Sequence, residues 1–307
     1  MKRNLLVLLI YFGFPFFAFS QFRWDVGFNM GASNYLGEMG GKENTRKDFI
    51  ADLKLSQTKF TGGGFVRYKI NPSVYLKANL QYARISGDDK LCSNLGRNGR
   101  NLSFRNDIFE LSVTSEFTFY YENDIGGAWR FRNDFRSYVF GGLAGFKHNP
   151  KTFYNGDWVA LRPLKTEGQT KAYSKFGVAI PVGVGFSFTV NKQFRFGWEM
   201  GWRTTFTDYL DDVSTVYADP GNLSSPLAVA LANRTDELVV DQAFANNFTT
   251  GNKRGDPTHN DSYMFMTVSF SWVIQGHSKE WGKRKAIYGH YFNQDKLIKR
   301  KKPRFRG

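Results

Sequence analysis

Eight segments of the chain alternate apolar side chains with small or polar ones, and none keeps a helical period. This alternation is typical of β-strands that separate two different environments. The pattern is clearest at 109–121, 176–189 and 264–274, where nearly every second residue is large and apolar. The other five segments are 24–31, 60–70, 74–82, 137–146 and 194–206, the last with Trp198, Met200, Trp202 and Phe206 on one face.

Short and long connections alternate between these segments. Asn71-Pro72 and Asn191-Lys192 make two short turns, and a stretch of intermediate length joins the fourth and fifth segments. An even number of strands with short turns at one end and long loops at the other is typical of outer-membrane barrels. We therefore predict an all-β fold, an eight-stranded antiparallel transmembrane outer-membrane β-barrel; a soluble β-sandwich is the alternative. The long extracellular loops are expected at about 37–59, 87–104, 147–173 and 207–261.

Charged residues of both signs occupy the inward-facing positions of the predicted strands. A buried charge is costly unless it is paired, so these residues are expected to form ion pairs across strands. Eight strands enclose a space that side chains can fill, and no pore is expected. The inward charged set is Arg67, Lys77, Glu110, Glu116, Arg195, Glu199 and Arg203.

The two ends of the chain differ from its body. Residues 1–20 have the basic start, apolar run and small-x-small end of a secretory signal peptide. The formal net charge is +15, yet 275–307 alone holds eleven Lys or Arg against two acidic residues. We therefore divide the chain into a signal peptide (1–20), a barrel (21–274) and a basic periplasmic tail (275–307).

The basic tail suits an acidic partner. Nucleic acid is the usual partner of a basic chain, but an exported protein seldom meets it and none is expected here. Anionic lipid headgroups or an acidic periplasmic protein are the candidates, and a tail that contributes only solubility is the alternative. The partner-binding residues expected in the tail are Lys283, Arg284, Lys285, Lys299, Arg300, Lys301 and Lys302.

Candidate catalytic and metal-binding residues are few. His148 and His259 lie in predicted loops without a recognisable nucleophile or carboxylate partner in sequence, so we expect no enzyme and no cofactor. Asp208, Asp211 and Asp212 could offer oxygens to calcium but lack the spacing of a calcium loop. We interpret them as a solvated, turn-forming loop base that caps a strand end.

Three stretches resemble the PorG family of outer-membrane β-barrels. They are "FNMGASNYLGEMGG" at 28–41, "SEFTFYYENDIGG" at 115–127 and "WEMGWRTTFTDYLDDVSTVY" at 198–217, and the match extends from Phe22 to Ile274. The third stretch is the most specific. It contains the motif residues that the resemblance assigns, Trp198, Glu199, Arg203, Thr207, Asp208, Tyr209, Asp211 and Asp212.

The resemblance implies a function in the type IX secretion system, which exports proteins and powers gliding motility. It implies a non-enzymatic tether in the cell outer membrane that holds a periplasmic ring, built from a lipoprotein and associated secretion subunits. Its other partners would be outer-membrane lipids. A general structural or adhesin-like outer-membrane barrel and a lipid-modifying enzyme are the alternatives.

Overall fold

The computed structural model describes residues 23–37, 39, 55–92, 94–125, 133–238 and 241–274 of the chain. The predicted signal peptide and basic tail lie outside the described residues. Contacts between residues divide the chain into one unit of 25–273 and a second made of 1–24 with 274–307. No helix in the described ranges is both long enough and apolar enough to cross a bilayer.

In the described ranges, ten β-strands form one sheet, and eight of them close into an antiparallel barrel. The barrel order is β3-β2-β1-β10-β9-β8-β5-β4, and it closes because β3 also pairs with β4. This confirms the predicted fold class. The strands are β1 Trp24–Leu36, β2 Lys59–Lys69, β3 Val74–Asp88, β4 Ser103–Glu122, β5 Asn133–Lys147, β6 Pro150–Tyr154, β7 Asp157–Ala160, β8 Phe176–Val190, β9 Phe194–Thr205 and β10 Ser262–Ile274.

Helices occur only between strands in the described part of the chain. The α-helices are α1 Leu95–Arg100, α2 Pro226–Ala232 and α3 Gln242–Ala245. Six 3-10 turns accompany them, at Leu55–Gln57, Asp89–Leu91, Arg162–Leu164, Pro220–Asn222, Thr235–Glu237 and Asn246–Phe248. The short β2–β3 and β8–β9 connections lie at one end of the barrel and the long loops at the other.

The third long loop contains a hairpin, although the sequence pattern predicts only loop in this region. Strands β6 and β7 pair with each other across Asn155 and Gly156, which both have positive φ angles, 50° and 94°. An Asn-Gly pair at positive φ makes the tight turn that suits a two-residue hairpin. Strand β6 also pairs with the outer end of β4, so the hairpin extends the barrel wall beyond the membrane-spanning part.

The outer face of the barrel carries a continuous apolar band. On β4, Phe109 and Phe119 are 56% and 68% exposed, and Leu111, Val113 and Phe117 between them are also exposed. The ten residue steps from Phe109 to Phe119 span about 34 Å along the strand, or about 26 Å at a tilt of about 40°. This height matches the hydrocarbon thickness that an outer-membrane barrel crosses.

Aromatic rings fill the inside of the barrel, and glycines on neighbouring strands make room for them. Gly183 and Gly201 lie directly opposite each other on β8 and β9. A Cβ atom added to Gly183 would lie 2.5 Å from Cζ of Phe140, and one added to Gly201 would lie 2.7 Å from the same atom. The ring of Phe140 therefore needs both glycines.

Replacing Gly183 with alanine is expected to destabilise the barrel by about 1–3 kcal/mol, because the added methyl overpacks the interior. The new Cβ would also lie 2.2 Å from the carbonyl oxygen of Met200. Gly145, which has nothing within 4 Å of its Cβ position, provides the matched control. Urea unfolding in detergent measures both variants, and an equal effect of Gly145→Ala would contradict the assignment of Gly183 to the packed interior.

A second layer of packing closes the long-loop end. Inward-facing residues of the strands meet residues of the first, second and fourth long loops in a buried cluster. Its members are Tyr35, Met39, Ala83, Ile85, Leu102, Phe104, Ile108, Ala144, Phe146, Ala179, Leu210, Val213, Tyr263 and Phe265. The loops are therefore packed into the barrel mouth and are not merely attached to its rim.

Candidate functional site

Arg67 is the centre of a buried ion-pair network inside the barrel. Its guanidinium contacts three carboxylates, lying 2.8 Å from Glu116, 3.3 Å from Asp25 and 3.3 Å from Glu199. The Arg67 side chain is 2% exposed. Four different strands supply these groups, so the network crosses the lumen from wall to wall.

Further cations complete this network. Lys77 lies 2.6 Å from Glu199, and Arg136 lies 2.5 Å from Glu116. Arg195 pairs with Asp25. We call Asp25, Arg67, Lys77, Glu116, Arg136, Arg195 and Glu199 together the lumen network.

The predicted inward positions and cross-strand pairing are confirmed. Glu199 pairs with Arg67 and Lys77, both of which the sequence placed on the same inner face. Arg203 lies 3.5 Å from Glu110, which also accepts a hydrogen bond of 2.7 Å from the hydroxyl of Tyr263. These pairs carry charge of both signs across the interior, as the sequence indicated.

Aromatic rings occupy the space between the ion pairs. The guanidinium carbon of Arg136 lies 3.9 Å from the ring centre of Tyr75 and 4.2 Å from that of Tyr138. The cations of Arg67 and Lys77 lie 4.9 Å and 4.6 Å from the ring centre of Phe65. Cations held against ring faces gain electrostatic attraction as well as packing, so this section of the lumen is filled.

The sequence reading missed Arg136 and Tyr138 as members of this interior. Strand β5 begins at Asn133, four residues earlier than the predicted segment, and Arg136 falls in the added part. Tyr138 lies within that segment, but the small residues on both faces hid its orientation. Its hydroxyl donates a 2.7 Å hydrogen bond to Glu199. Extending the period of two back to Asp134 would have placed both residues on the inner face.

The acidic motif after β9 is buried, which corrects the prediction of a solvated loop base. Asp211 and Asp212 are fully buried and Asp208 is 8% exposed. The motif does turn the chain, since Asp211 accepts a hydrogen bond from the backbone N–H of Val213. Its carboxylates, however, point into the packed layer at the barrel mouth and not into water.

Asp211 shares a tyrosine hydroxyl with a second carboxylate. The Oη atom of Tyr35 lies 2.7 Å from Asp211 and 2.5 Å from Asp261. A hydroxyl has one proton to donate, so two strong hydrogen bonds here need a proton on one of the two carboxyl groups. The geometry therefore favours protonation of one carboxyl group in this pair.

Asp212 joins the fourth loop to the third. It accepts hydrogen bonds of 2.5 Å from Thr166 and 2.7 Å from the hydroxyl of Tyr173. Arg254 lies between the same loops: one Nη donates to Glu167 at 2.8 Å and to the backbone carbonyl of Asp212 at 2.6 Å. We call Tyr35, Asp211, Asp212, Arg254 and Asp261 the loop-base cluster.

The second long loop is tied to the same cluster. Arg100 at the end of α1 donates to both oxygens of Asp89, at 2.8 Å and 2.9 Å. A further Arg100 hydrogen bond of 2.6 Å reaches the backbone carbonyl of Arg254. Three loops and the end of β1 are therefore held together by one buried polar network.

Burial sets the protonation of the loop-base carboxyls. It raises the pKa of Asp211 to about 7 and that of Asp212 to about 6. The pKa of Asp261 is raised well above its ordinary value, first by burial and then by the nearby Asp211 and Asp208. These shifts and the shared hydroxyl of Tyr35 indicate that the Asp211–Asp261 pair retains a proton near neutral pH, whereas Asp212 loses its proton near pH 6.

The remaining motif residues lie partly on the outer face of the barrel and partly in the fourth long loop. Trp198 lies on the outer face, stacked on Phe186 with 5.5 Å between ring centres. Thr207 accepts a hydrogen bond from the backbone N–H of Asp261 through its own carbonyl. Tyr209 stacks on Tyr173 at 4.7 Å with 9° between the ring planes. The motif thus runs from the barrel wall into the loop-base cluster. The predicted tail residues 283–285 and 299–302 lie outside the described residues.

The two histidines that the structure describes, His148 and His259, lie in different surroundings and do not contact each other. His148 is 2% exposed and packs between Phe146 and Tyr173, and burial lowers its pKa to about 4. His259 lies in an exposed turn, 3.7 Å from Asp256. Across the ranges that the structure describes, no group of three or more His, Cys, Asp or Glu is arranged to hold a metal ion.

A family profile, described as a domain of unknown function (DUF6089), matches residues 2–254. No curated protein is significantly similar in sequence. Among solved structures, the N-terminal β-barrel domain of Pseudomonas aeruginosa OprF is 10% identical with a TM-score of 0.31, covering 81% of this chain and 96% of that one.

Two further barrels are similar at the same level. The attachment invasion locus protein Ail of Yersinia pestis is 9% identical with a TM-score of 0.33, covering 81% of this chain and 98% of that one. CarO of Acinetobacter baumannii is 13% identical with a TM-score of 0.27, covering 80% and 97%. At these values the likeness supports no functional argument, and the fold is assigned from the strand pairing above.

Proposed function

The chain belongs to the DUF6089 family, and we propose that it is a non-enzymatic outer-membrane component of the type IX secretion system. In this proposal the barrel anchors the periplasmic ring lipoprotein and its associated subunits to the membrane. The supporting observation is the state of the lumen, where seven charged side chains pair across the barrel between aromatic rings. A barrel filled in this way suits a fixed anchor better than a conduit.

The closed loop end supports the same function. The loop-base cluster ties three loops and β1 together through buried charges, and a rigid cap of this kind does not admit substrate to the lumen. The short turns, the start of β1 and the end of β10 lie at the opposite end of the barrel. In barrels with long outer loops, that end faces the periplasm. That end is available to periplasmic partners.

The type IX assignment itself is supported by the resemblance of 198–217 to the PorG family. A deletion strain provides the test. We expect it to lose secretion of type IX cargo while its lipid A stays unchanged, and the wild-type gene to restore secretion. Normal cargo secretion would contradict the proposal, and altered lipid A would favour the lipid-modifying enzyme.

The tail is expected to contribute to the ring contact. Its residues 275–307 carry a net charge of +9, and electrostatic contacts of an exposed segment weaken with salt. A chain truncated after Gln275 should fold, migrate as a heat-modifiable band and no longer co-purify with the ring lipoprotein. Charge reversal at 299–302 should weaken the association in a salt-sensitive way. A truncated barrel that still captures the ring would move the contact to the short turns.

An adhesin-like barrel is the second candidate, and one observation favours it. The fourth long loop contains a groove of about 350 Å³, lined by residues of α2, α3 and their flanking turns. A folded, grooved outer loop suits contact with an external surface. This function predicts that the deletion strain loses attachment to surfaces and retains cargo secretion.

A further inference from the structure

A group of cations lies on the outer face of the barrel, just beyond the apolar band at the long-loop end. Arg84 of β3, Arg105 of β4, Lys147 of β5 and Lys151 of β6 supply the charges, and Trp158 of β7 lies beside them. We call these five residues the rim cluster. They belong to neighbouring strands in the order β3-β4-β5 with the β6–β7 hairpin attached to β4.

Two of the cations are held side by side by the sheet itself. Arg105 and Lys151 are directly opposite each other in the β4–β6 pairing. Residues in this relation have Cβ atoms about 5 Å apart on the same face, and like charges there are destabilising. Lys147 adds a third positive charge opposite Phe109, at the upper edge of the apolar band.

Asp107, two residues from Arg105 on β4, carries one negative charge and cannot balance all of these cations. Asp107 is already bound by Arg84, whose Nε lies 2.6 Å away, and by the hydroxyl of Tyr82 at 2.9 Å. The guanidinium of Arg105 instead lies 3.9 Å from the ring centre of Trp158, and its buried Nε has no hydrogen-bond partner among the residues that the structure describes. The arrangement therefore leaves a net positive site with an unsatisfied donor.

The long-loop ends of β9 and β10 differ from the rim cluster. The residues paired there are the exposed Thr204 and the buried Ser262, neither of which carries a charge. Below the rim cluster the wall is apolar, with Phe109 and Leu111 on β4 and Phe176 on β8 all exposed. The cations of the rim cluster therefore lie above an apolar surface, on the part of the barrel formed by β3, β4 and β5.

We propose that the rim cluster binds the phosphate groups of a lipid in the outer leaflet, whose acyl chains lie along Phe109, Leu111 and Phe176. Guanidinium and ammonium groups form charge-assisted hydrogen bonds to phosphate oxygens, and basic pockets at membrane surfaces recognise anionic headgroups. A phosphate bound between Arg105 and Lys151 would attract both cations and so offset the repulsion between them. The exposed Trp158, 44% accessible, suits the headgroup level.

The position selects a lipid over a soluble anion. Lys147 is level with Phe109, the first lipid-facing ring of β4, so its ammonium must reach up from the hydrocarbon edge. A free phosphate would make no contact with the apolar wall below. A lipid would contact the cations through its phosphate and the wall through its acyl chains. The inference goes beyond the secretion function and holds whichever periplasmic partner the barrel has.

Titration of full-length protein in uncharged detergent with diphosphorylated lipid A tests the proposal. The double variant Arg105→Gln/Lys151→Gln should bind about tenfold more weakly, because two charge-assisted contacts are lost. The control Lys90→Gln/Lys171→Gln removes the same charge from exposed loop positions and should bind like the wild type. Phosphatidylcholine should bind weakly to all three proteins, and inorganic phosphate should compete poorly.

The proposal would be overturned by equal binding of lipid A to the double variant, by equal weakening in the control, or by full competition from inorganic phosphate. Heat-modifiable mobility verifies that each variant is folded. In detergent without lipid, the double variant should be about as heat-stable as the wild type, because the loss of a like-charge pair offsets the loss of the contact between Arg105 and Trp158. A lower stability there would show that the cations serve the fold, and this too would contradict the proposal.

Discussion

Replacing Arg67 with methionine should lower the free energy of unfolding of the barrel by about 3–5 kcal/mol, because it leaves buried carboxylates without their shared cation. Asp25, Glu116 and Glu199 all contact this guanidinium. Methionine keeps much of the length of the side chain, so lost packing against Phe65 is a small part of the effect. Urea titration of the folded barrel in lipid vesicles, followed by tryptophan fluorescence, measures the change.

Lys253 offers a matched ion pair in water. Its ammonium lies 3.1 Å from Asp256, and its side chain is 70% exposed. Surface pairs contribute about 0–1 kcal/mol, so Lys253→Met should have little effect. The double variant Arg67→Met/Glu116→Gln should recover part of the free energy of unfolding that Arg67→Met loses, because one unpaired buried charge is removed. Similar losses for Arg67→Met and Lys253→Met would show that the lumen network is not a source of stability.

Raising the pH from about 5 to about 8 should destabilise the loop end of the barrel by about 4 kcal/mol, since buried Asp211 and Asp212 must then ionise. Their pKa values, about 7 and about 6 in the folded chain, lie above the value of about 4 that an unfolded aspartate has. Stability from these groups is therefore complete below about pH 4 and is lost as the pH rises through 6 and 7.

The stacked pair of Tyr173 and Tyr209 provides an optical signal for this change. Its rings lie 4.7 Å apart beside Asp212, so near-ultraviolet circular dichroism reports loosening of the loop base. Asp211→Asn and Asp212→Asn should each flatten the pH dependence, because an amide cannot ionise. The exposed Asp236→Asn should leave it unchanged. A melting temperature independent of pH in the wild type would contradict the protonated cluster.

The strands and the lumen pairs could be predicted because a membrane-spanning strand has only two faces. Period-two alternation places Glu199 and Arg203 inside whatever the neighbouring strands do. Once the inner face is known, the low dielectric of the interior demands partners of opposite charge. The available candidates were few enough that Arg67, Lys77 and Glu110 could be named in advance. The weakly alternating β5 shows the limit, since glycines on both faces hid its inner side.

The loop-base cluster could not be predicted from the same rules. Three aspartates in five residues normally indicate a solvated turn, and nothing in the sequence shows that Tyr35 or Asp261 will meet them. Those contacts join residues 176 and 226 positions apart, and they depend on which loop folds over which strand end. The β6–β7 hairpin differs from the loop-base cluster in being predictable from the sequence, because its Asn155-Gly156 pair is a local turn signal.

The span of the lumen network along the chain constrains how the barrel assembles. Asp25 and Arg195 are 170 residues apart, and Arg67 and Glu199 are 132 apart. Strands β1–β3 therefore carry charges whose partners are synthesised late, and hydrocarbon cannot solvate them in the meantime. An open sheet must keep its inner face toward water until β9 arrives, so curling, pairing of the charges and entry into the bilayer are expected to proceed as one cooperative step.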